Sequence, residues 1–372
     1  MLPNGKGVMG TREIVLYYND EVASVFFGGE ARMAEKKYIP IIDYLKAFAI
    51  MLVTTTHFFT YNDKDFVLFI YVIQMGMPLF MLLIGYNTAM SNDRHDVNSL
   101  QALYAPARLA KQFGTILPSY LLMFLIEALA TGAFVAGLPW KRWVYSLLTG
   151  GLQGGSHGGY FFAIYWQFLL VAPILYLLVK RYPTATLLGA LALNMFYEYA
   201  VGAWGIPRLL NRILFMRYLF IAVFGLYFYL WRNRIKPWMA VLAAGFGLWY
   251  ITALEFYGLH GPLIRYWKNT NVYASFYYIA VVVLAFYFFE NKRLPKGLHE
   301  VAHHMGAATW HIYLTQMLYF RLHLNSPMAG LPLWVQVPIG VCLCSLVGVG
   351  WNLAERSVRK WWRARKARKA AV

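Results

Sequence analysis

Three ionisable side chains share one apolar stretch, IIDYLKAFAIMLVTTTHFF: Asp43, Lys46 and His57. Ionisable groups are costly inside a membrane span, so each marks a functional candidate by default. At 100° per residue, the eleven steps from Lys46 to His57 make three turns plus about 20°. The fourteen steps from Asp43 to His57 fall within about 40° of alignment. All three therefore lie on one helix face with Thr54, and that face turns towards protein or water rather than lipid. The helical rise separates Lys46 from His57 by about 16 Å, too far for contact. Histidine titrates near neutral pH and suits removing a proton from a hydroxyl, and a lysine at the other helix end suits an anionic group such as a phosphate. A plainer role fits too, with Asp43 and Lys46 anchoring the helix end and His57 a satisfied interfacial histidine. Spacing alone does not choose between them.

The elements that must position these residues are helices in lipid. Of 372 residues, 60% are hydrophobic and 13% charged, and the mean hydropathy is +0.47. A soluble surface needs about 25% charged residues. About 20 apolar residues span the hydrocarbon core as a helix, and ten stretches meet that length: 39–60, 66–90, 113–134, 160–179, 184–201, 213–231, 238–257, 272–289, 307–324 and 333–353. The fold expected is all-α and polytopic, with about ten transmembrane helices.

Basic residues orient it. Lys36, Lys37, Arg94, Arg108, Lys111, Lys180, Arg181, Arg232, Arg234, Lys236, Lys292, Arg293 and Lys296 gather on one side with the basic tail, which places both termini in the cytoplasm. That bias also accounts for the formal charge of +18 without nucleic acid, for which no RNP-type or zinc motif is present. Three regions are expected: a poorly ordered extension over 1–35, a transmembrane domain over 36–355 and a basic cytoplasmic tail over 356–372 resting on anionic headgroups. Met33 reads like a natural start ahead of the first span, so residues 1–32 read as an upstream extension. Cys342 and Cys344 lie two apart in an apolar run and point to neither a disulfide nor a metal site.

The stretch from Tyr38 to His57 resembles the first transmembrane helix of the acyltransferase-3 family of membrane O-acyltransferases, which carries an Asp, a basic residue, ten further residues and an essential His. Here Lys46 stands in place of the usual Arg, keeping charge but losing the bidentate fork. Further stretches agree in order: MPLFMLLIGY; Arg108 and Lys111 before Leu117-Pro118-Ser119-Tyr120, similar to an Arg-x-x-Arg segment ahead of a Leu-Pro-x-Tyr helix; GSHGGYFFAIYWQF; and TWHIYLTQMLYF, with Gln316 where His is common. The resemblance covers residues 38–355.

It implies acyl transfer across the membrane. Acyl-coenzyme A (acetyl-coenzyme A foremost) would be a donor substrate rather than a bound cofactor, held from the cytoplasm near Lys46, Arg108 and Lys111. His57 would act as general base on the acceptor hydroxyl or carry the acyl group briefly, and Asp43 would hold the basic cluster. Tyr160, His157, Gln167, Tyr313 and Gln316 are candidates to line the path of a carbohydrate or glycolipid acceptor. Localisation in a bacterial plasma membrane follows. Interfacial packing or interhelical hydrogen bonding is the more favoured explanation for each of those five polar residues. Glu127, Glu198 and Glu255 are candidate proton carriers without evident partners. His303, His304 and His311 do not place three ligands and a carboxylate on one face, so no metal is expected. The rival function is a transporter or flippase, or an export-complex component, for a polysaccharide. It predicts an inverted repeat with broken helices, which the sequence does not show, and leaves the one-face set unexplained.

Overall fold

The computed structural model describes residues 38–59, 66–152, 158–258 and 270–370; the expected extension over 1–35 and His157 lie outside them. Within these residues the chain is helical and contains no strand. In chain order the helices are α1 (Pro40–Thr56), α2 (Val67–Tyr71), α3 (Gly76–Arg94), α4 (Leu100–Leu103), α5 (Pro106–Ala130), α6 (Trp140–Thr149), α7 (Tyr160–Arg181) and α8 (Pro183–Ala203). They continue with α9 (Arg208–Ile213), α10 (Leu219–Trp231), α11 (Pro237–Phe256), α12 (Val272–Phe289), α13 (Lys296–Ala307), α14 (Thr309–Arg321) and α15 (Leu333–Ala370). Pro40, Pro106, Pro183 and Pro237 open α1, α5, α8 and α11, where the missing N–H costs nothing and the fixed φ suits a first turn. Asn271 caps α12 by accepting the Ala274 N–H at 3.0 Å.

A helix occupies each of the ten apolar stretches, but their lengths differ from the expectation. Among the described residues, Val67–Arg94, Leu100–Ala130, Tyr160–Arg181, Pro237–Phe256, Val272–Phe289 and Leu333–Arg368 are long and apolar enough to cross a membrane. Helices α10 and α14 have 13 residues each, which gives them about 20 Å against a hydrocarbon core of about 30 Å. Hydropathy reads composition, and the 213–231 stretch hides a 3-10 turn at Phe215–Tyr218 while α14 is shortened by a break at Ala308. Conversely α15 continues past the expected span end at 353 as one helix to Ala370.

Helix α10 lies at the centre, buried from Leu219 to Phe228. It meets α3 backbone to backbone. A Cβ on Gly85 would fall 2.1 Å from the Ala222 carbonyl oxygen, and one on Gly225 would fall 2.1 Å from that of Leu82. Small residues that let backbones close in this way replace the hydrophobic drive that lipid removes. Helix α1 packs between α3, α13 and α14. Leu188 and Phe196 of α8, Leu242 and Trp249 of α11, and Leu346 and Val347 of α15 lie exposed on the outside, an apolar surface suited to lipid.

Candidate functional site

Helix α1 ends at Thr56, and His57 caps it: the His57 N–H reaches the Thr54 carbonyl at 3.2 Å and the Phe58 N–H that of Thr55 at 3.1 Å. His57 is half-buried, with its ring 5.4 Å from that of Phe320 on α14. The loop before α7 approaches from the other side. Gly158 has φ +93°, and a Cβ there would lie 3.4 Å from His57 Nε2, 3.6 Å from Gln316 Nε2 and 3.6 Å from Tyr313 Cε2. Tyr313 fixes this approach by donating its hydroxyl to the Gly158 carbonyl at 2.6 Å. His57, Tyr313 and Gln316 are thus brought together around one glycine.

The loop is also held from behind. Arg321, one helical stretch further along α14, donates to Glu127 of α5 at 2.9 Å and to the Gly150 carbonyl at 2.7 Å. Glu127 therefore has a partner that the sequence did not name. A Cβ on Gly150 would fall 1.9 Å from the Gly159 carbonyl oxygen, and one on Gly159 would fall 2.3 Å from Arg321 Nη2 and 2.5 Å from the Gly150 carbonyl oxygen, so these two glycines let the backbone close on itself beside Arg321.

On the Lys46 side lies a cavity of about 290 Å³ lined by Lys46, Phe80, Asn87, Tyr165, Trp310 and Tyr313 among others. That volume sits near the lower end for ligand pockets, about 300 Å³, and suits a slim chain more than a whole nucleotide. Tyr313 belongs both to this cavity and to the group around Gly158. It joins the lysine end to the histidine end of α1.

Asp43 does not stand with His57. It accepts from His303 Nδ1 at 2.8 Å, while the neighbouring Tyr44 hydroxyl bonds His299 at 2.7 Å. His299, His303 and Gly306 repeat at helical spacing along α13. A Cβ on Gly306 would lie 2.7 Å from the Asp43 carbonyl oxygen, so α13 lies flush against α1. Asp43 holds the His303 imidazole above its ordinary pKa of 6.5, chiefly through the hydrogen bond, while partial burial and the cations Arg356 and Lys46 pull it down.

The remaining sequence candidates are spread more widely. Arg108 donates to Asn92 on α3, and Lys111 is exposed one turn on. The Tyr160 ring receives the Arg212 guanidinium at 4.8 Å. Gln167 is engaged by the main chain: it donates to the carbonyls of Ala163 and Ile213 and accepts the Phe215 N–H at 3.0 Å. Glu198 accepts the Val272 N–H at 2.8 Å and an Asn194 amide at 3.2 Å. Among the described residues no group of three His, Cys, Asp or Glu side chains is placed to hold a metal. Gly158, Arg321 and Trp310 have no functional role in the sequence reading, and His303 figures there only as a candidate metal ligand. The doubled glycine of GSHGGY is the sequence signal for the first.

Comparison with known proteins returned no match among curated proteins and none among solved structures. A family model describing an acyltransferase domain, that of acyltransferase-3, matches residues 39–350. With six helices among the described residues long and apolar enough to cross a membrane and a family match over most of its length, this chain belongs to the acyltransferase-3 family and is a membrane acyltransferase.

Proposed function

We propose that the protein transfers an acyl group, acetyl foremost, from cytoplasmic acyl-coenzyme A to a hydroxyl of an extracytoplasmic carbohydrate or glycolipid, in a bacterial plasma membrane. The observation that carries this reading is the cavity lined by both Lys46 and Tyr313, since Tyr313 also stands beside Gly158, where His57 and Gln316 converge. The lysine offers charge to the anionic donor, with Arg108 and Lys111 supplying more along α5. The aromatic-lined cavity accommodates the donor's slim thioester arm. His57 takes the acceptor proton. Tyr160 and Tyr313 border the acceptor side, and His157, which precedes Gly158 in sequence, is a further candidate for contact with the acceptor. Asp43 serves as a positioning residue that docks α13 against α1 through His303. Short helices such as α10 and α14, buried among longer ones, complete ten segments in this reading, with both termini in the cytoplasm.

The test is release of free coenzyme A by purified protein in detergent, given acetyl-coenzyme A and a panel of glycans. Glycan-dependent release supports the reading. No binding or turnover of any acyl-coenzyme A sinks it and returns attention to polysaccharide transport.

A further inference from the structure

Gln316 is fully buried at 0% exposure, and neither atom of its side-chain amide has a hydrogen-bond partner among the described residues. Leaving both a donor and an acceptor buried and unmet opposes folding, so a leucine or methionine of similar size would serve packing better. The nearby Gly158 carbonyl already takes the Tyr313 hydroxyl.

The convergence at Gly158 is the second observation. A Cβ on Gly158 would lie 3.4 Å from His57 Nε2 and 3.6 Å from Gln316 Nε2, so the histidine and the amide are near enough to serve one reacting centre, which needs both a base and an oxyanion donor within reach. Left-handed φ at this glycine and the Tyr313 hydrogen bond hold Gly158 against the pair. Tyr313 also lines the cavity that contains Lys46.

We propose that the Gln316 amide is the hydrogen-bond donor that stabilises the oxyanion of acyl transfer, opposite His57; this rests on the acyl-coenzyme A reading above. With the thioester carbonyl carbon brought between His57 and Gln316, the acceptor oxygen bonds to that carbon as its proton passes to His57 Nε2. The carbonyl electron pair moves onto oxygen, and the Gln316 N–H bonds the oxyanion. Collapse restores the C=O and breaks the C–S bond, and the departing coenzyme A thiolate takes the proton from His57. Thioester and alcohol become ester and thiol with no further reactant. The amide stays unpartnered in the resting protein because its partner forms only during reaction, which is where a donor lowers the barrier most.

The experiment uses inside-out membrane vesicles from cells expressing the full chain, given radiolabelled acetyl-coenzyme A, with label counted in carbohydrate per mole of protein. Gln316→Leu and Gln316→Met are compared with wild type and His57→Ala, and each purified variant is also melted. The expected result is a kcat about 100- to 1,000-fold lower, a KM for acetyl-coenzyme A within about threefold, and a melting temperature equal to or above wild type. A mere packing role would lower the melting temperature along with activity, and a mere binding role would raise KM alone; either result overturns the proposal. If His57→Ala abolishes transfer while both Gln316 variants run at the wild-type rate, the oxyanion role fails and the acyltransfer reading survives. If wild-type vesicles transfer no label, both fall.

Discussion

Arg321 and Glu127 form an ion pair at 2.9 Å in which neither side chain is exposed at all. Removing one partner of such a pair strands the other charge, so Arg321→Ala is expected to cost about 3–5 kcal/mol, read as a large fall in thermal midpoint in detergent. Replacing both by apolar side chains, Arg321→Met with Glu127→Leu, should recover most of that stability. The double variant should still transfer acyl groups poorly, because the Gly150 carbonyl has lost the guanidinium that holds its loop. A single variant as stable as wild type would show that the pair does not hold the loop.

Gly158→Ala strikes the site more directly. The left-handed φ of +93° makes any L side chain cost about 1–2 kcal/mol, and its Cβ would occupy the space 3.4 Å from His57 Nε2. Transfer should fall about 100-fold, with only modest destabilisation. Gly114→Ala, where a Cβ meets nothing within 4 Å, is the control and should leave the rate unchanged. Equal rates for the two variants would contradict the placement of chemistry above Gly158.

The His303–Asp43 contact predicts a pH dependence. His303 is held above 6.5 by Asp43, with Lys46 and Arg356 opposing and the His299 and His304 rings 6.3 and 5.8 Å away. A raised folded pKa means the pair contributes fully below the unfolded value of about 6.5 and loses its contribution as pH rises through the folded value. Thermal midpoints of the wild type should therefore decline over that window beyond those of His303→Gln. The side chain is 45% exposed, so the difference should be small but resolvable. Parallel curves for the two proteins would rule out the contact as the titrating element.

Gln167 separates scaffold from site. Its amide spans the turn between α9 and α10 by bonding Ile213 O at 2.7 Å and the Phe215 N–H at 3.0 Å. Gln167→Leu strands both main-chain groups and should cost about 1–3 kcal/mol. The KM for acetyl-coenzyme A should not move, because Gln167 does not line the cavity. A raised KM without lost stability would put Gln167 on the donor path instead.

The parts of this architecture that the sequence revealed are those governed by local periodicity. Asp43, Lys46 and His57 could be placed on one face because a helix repeats every 3.6 residues, and the apolar stretches could be counted because lipid demands them. Relationships across the fold were hidden. Asp43 meets His303 over 260 positions, and Tyr313 meets Gly158 over 155. No local pattern encodes which helix carries the partner, and that is why Glu127 and Glu198 looked solitary until Arg321 and Val272 were found beside them. Amphipathic helices such as α6 and α13 lack the continuous apolar run that marks a span in sequence, and α13 is the one that docks on Asp43.

The central claim is that His57 removes the acceptor proton beside Tyr313, which also lines the Lys46 cavity. Its most direct test is acetyl transfer to carbohydrate by His57→Ala, matched to wild type in expression and thermal midpoint. Loss of transfer, with acetyl-coenzyme A still bound, is the predicted result. Transfer at the wild-type rate by a folded His57→Ala protein would contradict the account.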